Sequence, residues 1–304
     1  MVDITHKSYT LRKAIATAVV TTSLPETIRA IQERKVPKGD IFEFSRASAL
    51  LAIKKTSDVI PDCHPLPVEF AAISYEIQDL SIVISVEVHT IYKTGVEVEA
   101  MHGASVAALV MYDMLKPIDK HVVIEKIALQ EKHGGKSDQK DKPALNLKCA
   151  VIVCSDRISR GERQDTSGRT IIVGLEKHQL SCAKYDVIPD DFQIIQDTVK
   201  SLCAEKYDLL IFTGGTGLSP RDVTPEAVEP LIDRPIPGIM EAARSYGQLR
   251  TPYAMLSRGL AGFVKNMLVI TLPGSQKAAQ ESMDALFPQV LHVFTVKSGD
   301  THGS

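Results

Sequence analysis

Hydrophobic and polar residues in the first half of the chain repeat with two different periods. Three segments have apolar residues three or four positions apart and are predicted as helices: 24–36, 40–60 and 96–115. Residues 67–93 alternate apolar and polar side chains in two runs that break at Gln78 and Asp79, which predicts an antiparallel hairpin. Residues 125–132 predict a last strand. This order fits helices packed on one face of an antiparallel sheet.

Short apolar runs and helical segments alternate through the second half. The runs predicted as strands are 147–156, 183–191, 207–217 and 266–274. The segments predicted as helices are 167–180, 192–206, 224–232 and 276–291. Alternation of this kind is typical of an α/β fold with a mostly parallel sheet covered by helices. In such sheets ligands bind in the crevice beyond the carboxyl ends of the strands.

The segment 133–146 separates the two patterns. It combines two glycines, a proline and alternating charges without a hydrophobic period, which is typical of a linker. The change of pattern at this segment therefore predicts two domains, 1–137 and 147–304, joined by residues 138–146. The first is expected to be α+β and ferredoxin-like, and the second α/β and doubly wound.

Composition agrees with two globular domains and narrows the partners. A chain of 304 residues exceeds the usual size of one hydrophobic core, and 44% hydrophobic with 24% charged residues argues against disorder. The net charge of -2 gives no overall field for nucleic acid or a membrane surface, so any anion site is local.

The cysteines and the first residues bear on the compartment. None of the five cysteines forms a C-x-x-C pair, which favours reduced thiols. The first residues have charges every few positions, unlike a signal peptide, and no apolar run approaches the roughly 18 residues of a membrane span. We expect a cytoplasmic protein.

A glycine-rich loop follows one predicted strand of the second half. The loop Thr213–Gly217 ends the run 207–217, directly after residues 207–212, and glycines let backbone N–H groups approach an anion. Small or polar loops also follow two other strands, at Ser155 and at Pro273–Ser275. A tight turn is the alternative, and the pattern matches neither the Walker A nor the dinucleotide motif.

Carboxylates stand near the same strand ends. Asp190 and Asp191 end one predicted strand, and Asp222 follows the glycine-rich loop. Side chains at these positions, opposite a phosphate loop, suit a Mg²⁺ ion that bridges carboxylates and phosphates. The alternative is helix capping, because Asp191 and Thr224 both precede predicted helices.

The first half carries an acidic and basic pair on its third helix. Asp113 and Lys116 are three residues apart and share a helix face. They form either a surface ion pair or, if they lie in a cleft, an acid/base pair in which the charge of each group shifts the pKa of the other. His64 lies between two prolines, and Lys38 precedes a predicted helix.

Six segments of the second half resemble, in order, the MogA/MoaB family of molybdenum cofactor biosynthesis, which also includes the G domain of gephyrin. These segments are 153–168, 187–191, 213–228, 236–244, 254–262 and 272–279. The resemblance implies adenylylation of molybdopterin, with ATP as co-substrate and Mg²⁺ as cofactor. It makes Asp190 and Asp222 the functional, metal-binding aspartates. The substrate contacts that it implies are Ser155, Asp156, Arg157, Gly214, Gly215, Thr216, Gly217, Ser219, Pro273, Gly274 and Ser275.

The first half resembles the MoaC family of cyclic pyranopterin monophosphate synthases. The segments that carry the resemblance are 1–5, 37–42, 59–66, 93–100, 104–116 and 134–137. It implies conversion of a 3′,8-cyclised dihydro-GTP into cyclic pyranopterin monophosphate and diphosphate, with Asp113 as catalytic acid/base and Lys116 as its partner. The substrate ligands that it implies are Arg12, Lys38, Arg46, Asp62, Cys63, His64, Val98, Glu99 and Lys136.

Two positions depart from the MoaC pattern. His102 stands where the family has a small residue, which suggests an effect on subunit contact, and Asp138 replaces a glycine. The two resemblances together imply a bifunctional enzyme. Since MoaC relatives form hexamers and MogA relatives trimers, they also imply a homo-oligomer, with a hexamer expected. The alternative for the second domain is a non-catalytic molybdopterin-binding or scaffold module.

Overall fold

The computed structural model describes residues 1–135 and 146–297. These residues belong to two compact units, one formed by 1–135 and the other by 146–297. Lys136 and Asp138 lie outside the described residues, as does all of the expected linker except Asn146. The limits 1–137 and 147–304 therefore stay predictions.

The first unit is an antiparallel sheet with helices, as predicted. Its four strands pair in the order β2-β3-β1-β4, and every pairing is antiparallel. The strands are β1 (Thr10–Thr21), β2 (Phe70–Gln78), β3 (Ser81–Tyr92) and β4 (Val123–His133). The helices are α1 (Pro25–Gln32), α2 (Ile41–Lys54), α3 (Thr56–Val59) and α4 (Glu97–Leu115). The ferredoxin-like label stays a prediction.

Strand β1 lies between β3 and β4, yet the hydrophobic pattern does not predict it. Ala14, Ala16, Ala18 and Val20 are fully buried, and the residues between them are partly exposed. Alanine is depleted in strands and favours helices, so its alternation is a weak strand signal. These small side chains lie in one core with residues of α1, α2 and α4.

Helices α2 and α4 pack closely against each other. An ideal Cβ on Gly103 of α4 would lie only 2.7 Å from Cγ1 of Ile53 on α2, so the two backbones approach where this side chain is missing. The predicted helix 40–60 is wrong in one respect, because it is divided at Lys55 into α2 and α3. The hydroxyl of Thr56 donates back to the carbonyls of Ala52 and Ile53 at this break, at 3.1 Å each.

The second unit has a mostly parallel sheet in the order β6-β5-β7-β10-β9-β8. Its strands are β5 (Cys149–Cys154), β6 (Cys182–Ile188), β7 (Leu209–Thr213), β8 (Arg234–Pro235), β9 (Ala261–Val264) and β10 (Met267–Leu272). The first four strands in the sheet order pair in parallel, and β9 and β8 complete the sheet in antiparallel pairings. Neither β8 nor β9 was predicted, because they are only two and four residues long.

Helices cover both faces of this sheet. They are α5 (Asp156–Ser159), α6 (Ser167–Glu176), α7 (Phe192–Ala204), α8 (Thr224–Val228), α9 (Pro237–Gln248), α10 (Gln276–Leu286) and α11 (His292–Lys297). Buried residues of α6, α9 and α10 form one core, and those of α7 and α8 form a second core from alternate residues of the same strands. Strands β5, β7 and β10 are buried along their whole length, as expected for central parallel strands. The doubly wound label stays a prediction.

A buried carboxylate fastens the start of α1 to the loop after α4. Asp119 is 2% exposed and accepts hydrogen bonds from the backbone N–H and hydroxyl of Ser23 at 2.7 and 2.6 Å. It also accepts from the hydroxyl of Thr27 at 3.2 Å and from the N–H of His121 at 3.0 Å. Burial alone would raise the pKa of Asp119, but these hydrogen bonds outweigh it and hold the pKa below its ordinary value.

We predict that Asp119→Ala destabilises the first unit by about 2 kcal/mol or more, because the buried hydroxyl of Thr27 and the N–H groups of Ser23 and His121 lose a charged acceptor. Since the folded-state pKa is lowered, the stabilisation is present above the unfolded-state pKa and is lost as pH falls through the folded value. Hydrogen exchange of β1 and α1 peptides in the full chain measures the change. Asp58→Ala, which removes an exposed pair with Lys55, is the matched control and should have little effect. Equal protection in both variants would contradict the prediction.

Candidate functional site

Asp113 lies between two lysines at the end of α4. Its Oδ2 is 2.6 Å from Nζ of Lys38, in the loop between α1 and α2, and its Oδ1 is 2.7 Å from Nζ of Lys116. Hydrogen bonds from Lys116 and then Lys38 lower the pKa of Asp113 to about 2, and Asp113 raises the pKa of Lys116. Between 40% and 53% of each side chain is exposed, so the three groups are accessible to a ligand.

A second polar group lies at the other end of α4. Glu99 is 2% exposed, and the thiol of Cys63 donates to its Oε1 at 3.4 Å. Burial raises the pKa of Glu99, and burial together with the Glu99 charge raises the pKa of Cys63 to about 11. Asp62 pairs with the terminal amine of Met1 at 2.6 Å, and Nε2 of His64 is 2.8 Å from the carbonyl of Val2.

The two groups are far apart in one chain. Glu99 and Asp113 are fourteen residues apart on α4, which corresponds to about 21 Å at 1.5 Å per residue. Arg12 packs beside Gly135 and its Nε donates to the carbonyl of Tyr92 at 3.4 Å. The structure thus joins Lys38 to Asp113 and Lys116, and it gathers residues 62–64 near Glu99.

Two further predicted ligands lie on helix surfaces, and one neighbour was missed. Arg46 is 3.8 Å from Glu43 on α2, and Val98 is 43% exposed on α4. Glu97, which was not predicted, begins α4 and adds a negative charge that raises the pKa of Glu99. The alternation of two glutamates, Glu97 and Glu99, is the feature of the sequence from which Glu97 could have been predicted. The unusual His102 is 3.2 Å from the hydroxyl of Thr56, within the same chain.

In the second unit, the loops after β5, β7 and β10 meet at one edge of the sheet. The N–H of Gly214 donates to the carbonyl of Leu272 at 3.1 Å, and the hydroxyl of Thr213 donates to the carbonyl of Pro273 at 2.9 Å. Gly214 has a φ of +100°, and a Cβ there would overlap the carbonyl of Cys154. Only glycine fits this position, because both its conformation and its contact exclude a side chain.

A cleft of about 180 Å³ opens between these loops. Predicted site residues that line it are Ser155, Asp190, Gly214, Gly215, Asp222 and Gly274. Lining residues that were not predicted come mainly from the segment before and at the start of α6: Arg163, Gln164, Thr166 and Ser167. Polar groups at the start of a helix and an arginine side chain are suited to binding an anion. The basic and hydroxyl side chains of this segment are the feature of the sequence from which it could have been predicted.

Asp190 and Asp156 tie the ends of two parallel strands together. The N–H of Asp156 donates to Oδ2 of Asp190 at 3.0 Å, and the N–H of Asp190 donates to Oδ1 of Asp156 at 3.2 Å. Arg221 donates to Oδ2 of Asp156 at 2.8 Å. Burial, followed by the charges of Asp156 and Asp222, raises the pKa of Asp190 although the bond from Asp156 lowers it.

The second oxygen of Asp190 has no hydrogen-bond partner in the described residues, although it is buried. A Cβ on Gly215 would meet both this Oδ1 and the hydroxyl of Thr224, so glycine leaves room between them. The hydroxyl of Thr224 is likewise buried without a hydrogen-bond partner in the described residues. Burial raises the pKa of Cys154 to about 12.

An orphaned carboxylate oxygen in a cleft that Asp222 also lines fits a Mg²⁺ ion held by one or two carboxylates and substrate phosphates. Within 1–135 and 146–297, no three His, Cys, Asp or Glu side chains form a group that could hold a metal ion.

An arginine that was not predicted supports the loop between Gly217 and Asp222. Arg258 donates to the carbonyl of Gly217 at 2.7 Å and to that of Asp222 at 2.6 Å, and it pairs with Glu226. The N–H of Ser219 donates to Oδ2 of Asp222 at 2.9 Å and orients that carboxylate. Within this loop Thr216 is buried, whereas Gly217 and Ser219 are exposed. Arg258 thus acts on the loop rather than in the cleft.

Several polar residues near the cleft also cap helices. Ser155 accepts from Ile158 N–H at 3.4 Å, Ser275 from Ala278 N–H at 3.3 Å and Asp191 from Ile194 N–H at 2.9 Å. The capping alternative is therefore correct for Asp191. It is wrong for Thr224, which is the first residue of α8 and makes no capping bond. Arg157 is exposed on α5.

A second cavity, of about 300 Å³, lies on the other side of the turn after β10. Gly274 lines the cleft, whereas Pro273 and Ser275 line this cavity. Its remaining walls come from α9, α10 and the loop between α9 and β9: Met240, Ala243, Arg244, Gly247, Thr251, Tyr253, Ala254, Ser257, Lys277, Ala278, Glu281 and Ser282.

Comparison with known proteins assigns a family to both units. Residues 1–135 match the MoaC family model, and residues 150–292 match the model described as a probable molybdopterin binding domain. A molybdenum cofactor biosynthesis bifunctional protein of Chlorobaculum tepidum is 38% identical over 302 residues, which are 99% of this chain and 96% of that protein. The chain belongs to this family.

Other relatives agree with this bifunctional arrangement. A second molybdenum cofactor biosynthesis bifunctional protein, from Synechococcus elongatus, is 35% identical across 100% of this chain and 99% of its own length. The cyclic pyranopterin monophosphate synthase of Pelobacter propionicus is 47% identical over 139 residues, which are 45% of this chain and 86% of that protein. The bifunctional protein thus combines a MoaC unit with a MogA-like unit, as the resemblance implied. Among residues 1–135 and 146–297, none of the helices combines the length and the hydropathy of a membrane span.

We predict that Lys116→Gln raises the pKa of Asp113 from about 2 toward its ordinary value, and more than Lys38→Gln does. Each change removes a cation that stabilises the carboxylate, and the Lys116 bond has the larger effect. Carbon NMR titration of labelled aspartate carboxyl groups measures the pKa. Lys55→Gln, which breaks the exposed pair with Asp58, is the control. An unchanged Asp113 titration in Lys116→Gln would show that the ion pair is not formed in solution.

Proposed function

We propose that the first unit is a cyclic pyranopterin monophosphate synthase. The observation that carries this proposal is Asp113, which the chain holds between Lys38 and Lys116 in an accessible position. A triphosphate-bearing substrate needs cations, and ring opening with closure of a cyclic phosphate needs a group that moves protons. The similarity to the cyclic pyranopterin monophosphate synthase of Pelobacter propionicus supports the same assignment.

Asp113 and its lysines change roles when the substrate binds. With a pKa of about 2, Asp113 is ionised at neutral pH and is a weak base. A substrate phosphate that takes Lys38 or Lys116 away from Asp113 raises the pKa of the carboxylate and makes it a better proton acceptor. Binding of the phosphates therefore activates the base in the same step that positions the substrate.

The distance along α4 supports the expected homo-oligomer. About 21 Å separates two groups of one chain: Glu99 with Cys63, and Asp113 with its lysines. We expect this distance to be too long for one substrate molecule to contact both groups. A second copy that brings its Glu99 end beside the Asp113 end of the first would complete one site. We propose such a shared site, in the hexamer that the two resemblances imply.

We predict that Asp113→Asn lowers the rate of cyclic pyranopterin monophosphate formation by about hundredfold or more, because the amide cannot accept the proton. The change is isosteric, so substrate binding should persist. Product is measured by chromatography after incubation of the full chain with the cyclised dihydro-GTP. Asp58→Asn, at an exposed position of α3, serves as control. Undiminished turnover in Asp113→Asn would leave the first unit with a structural role only.

We propose further that the second unit transfers the adenylyl group of ATP to molybdopterin. The observation that carries this proposal is the orphaned Oδ1 of Asp190, in the polar cleft that Asp222 also lines. A carboxylate oxygen that is buried without a partner is costly unless a ligand satisfies it. A cation with the phosphates of a bound nucleotide meets that need.

The residues of the cleft have different roles in this transfer. Arg163 and the start of α6 bind phosphate oxygens, and the loop at Gly214 and Gly215 brings the backbone close to them. Asp190 and Asp222 would hold Mg²⁺, which when bound screens the phosphate charges. Asp156 fixes Asp190, and Ser219 fixes Asp222. The chain therefore contributes positioning and electrostatics. An oxygen of the terminal phosphate of molybdopterin attacks the α-phosphorus of ATP, and the bond from the α-phosphorus to the bridging oxygen breaks to release pyrophosphate.

We predict that Asp222→Asn lowers adenylylation of molybdopterin by about hundredfold or more, because one of two carboxylates is lost from the cation site. The measurement is formation of adenylylated molybdopterin from molybdopterin, ATP and Mg²⁺. Asp233→Asn, in the loop before β8, is the control. No product from the unaltered chain, with molybdopterin still bound, would instead assign the second unit a carrier or scaffold role.

A further inference from the structure

His102 on α4 connects this helix to the first residue of α3. Its Nδ1 is 3.2 Å from the hydroxyl oxygen of Thr56, a residue that is 2% exposed. The single hydrogen of this hydroxyl is already shared between the carbonyls of Ala52 and Ile53. The hydroxyl oxygen therefore accepts in its contact with His102, and we assign the ring hydrogen of His102 to Nδ1. The bond fixes α4 to the break between α2 and α3.

From Thr56 a series of hydrogen bonds leads back to the same helix. The N–H of Ile60 donates to the carbonyl of Thr56 at 2.8 Å, and the N–H of Cys63 donates to the carbonyl of Ile60 at 3.0 Å. The thiol of Cys63 then donates to Oε1 of Glu99 at 3.4 Å. Glu99 and His102 are three residues apart on α4 and share one face of it. The bonds thus form a closed ring that begins and ends on one turn of α4.

The residues between the two ends of this segment bury little surface of their own. Helix α3 is only four residues long, and the apolar side chains of Val59 and Ile60 are exposed. Packing supplies most of the stability of helices in proteins, and segments with few buried apolar contacts open locally at low free energy. The bonds at Thr56 and at Cys63 therefore have a large share in fixing the position of this segment on α4.

We propose that His102 is a positioning residue of the first unit, which acts through Thr56 to hold Cys63 and His64 beside Glu99. The inference rests on the proposed synthase function and adds a residue that the MoaC resemblance does not imply. His102 stands where the MoaC pattern has a small residue. A smaller side chain would end farther from Thr56 than the imidazole does, so the bond is a feature of this chain and not of the pattern.

The rate of alkylation of Cys63 measures how firmly the segment is held. Burial, followed by the charge of Glu99, raises the pKa of Cys63 to about 11, so little reactive thiolate forms while the segment is in place. His102→Leu removes the donor to Thr56 and lets the thiol move away from Glu99. We expect iodoacetamide to modify Cys63 about fivefold faster or more in this variant of the full chain, as measured by mass spectrometry of the peptide.

Two further variants separate the loss of this bond from a general loss of stability. His102→Asn should keep the slow alkylation of the unaltered chain, because the side-chain amide donates from nearly the position of Nδ1. Asp119→Ala removes a buried acceptor elsewhere in the first unit and should speed alkylation less than His102→Leu does. The proposal is overturned if His102→Leu reacts as slowly as the unaltered chain. It is also overturned if His102→Asn or Asp119→Ala reacts as fast as His102→Leu.

Steady-state kinetics of cyclic pyranopterin monophosphate formation gives a second measurement. Displacement of Cys63 and His64 weakens substrate binding, whereas Asp113, at the other end of α4, keeps its lysines. His102→Leu should therefore raise KM for the cyclised dihydro-GTP by about tenfold and change kcat less, and His102→Asn should restore KM. An unchanged KM in a His102→Leu chain whose Cys63 is alkylated faster would overturn the positioning role.

Failure of this inference is distinguishable from failure of the proposed reaction, because alkylation requires no turnover. A chain that forms no cyclic pyranopterin monophosphate, yet protects Cys63 through His102, removes the synthase assignment and retains the bond to Thr56 as the contact that fixes the segment. Product formation by a His102→Leu chain with the KM and the Cys63 alkylation rate of the unaltered chain removes only the role of His102.

Discussion

The close approach of Gly214 to the backbone at Cys154 and Gly274 is the constraint on which the second unit depends. It brings the ends of β5, β7 and β10 together without side chains between them. Because the cleft lies directly against these backbones, its small volume follows from the same contacts that close the edge of the sheet. Fold and ligand site cannot be altered separately at this position, since any Cβ would separate the strand ends before it reached a ligand.

The first unit uses a single element in a comparable way. Helix α4 is fully buried at four alanines and packs against α2 at Gly103, so it is a rigid support with a polar group of the candidate site at each end. Rigidity fixes the positions of Asp113 and Glu99 but also prevents them from approaching each other within one chain. Association between copies therefore becomes part of the chemistry in the proposed shared site, rather than an addition to a finished enzyme.

Much of this arrangement could be predicted from the sequence, and the failures have physical causes. Hydrophobic periods predicted most of the longer helices, the hairpin and the central parallel strands, because burial imposes those periods directly. Helix α9, twelve residues long, was not predicted. Strand β1 escaped because its buried positions are alanines that suit close helix packing. Arg258 and Arg163 were not predicted as site residues, because their roles depend on which loops lie next to them in the folded chain. The pairing of Lys38 with Asp113 likewise joins residues 75 positions apart, and no local pattern contains it.

The unsatisfied Oδ1 of Asp190 also couples folding to occupancy. A buried acceptor without a partner makes the empty native state less stable than the same fold with a ligand in place. By mass action, any species that satisfies this oxygen only in the folded chain increases the free energy of unfolding with its concentration. If the proposed nucleotide and cation are the species that satisfy this oxygen, a shortage of either one lowers the free energy of unfolding of the second unit.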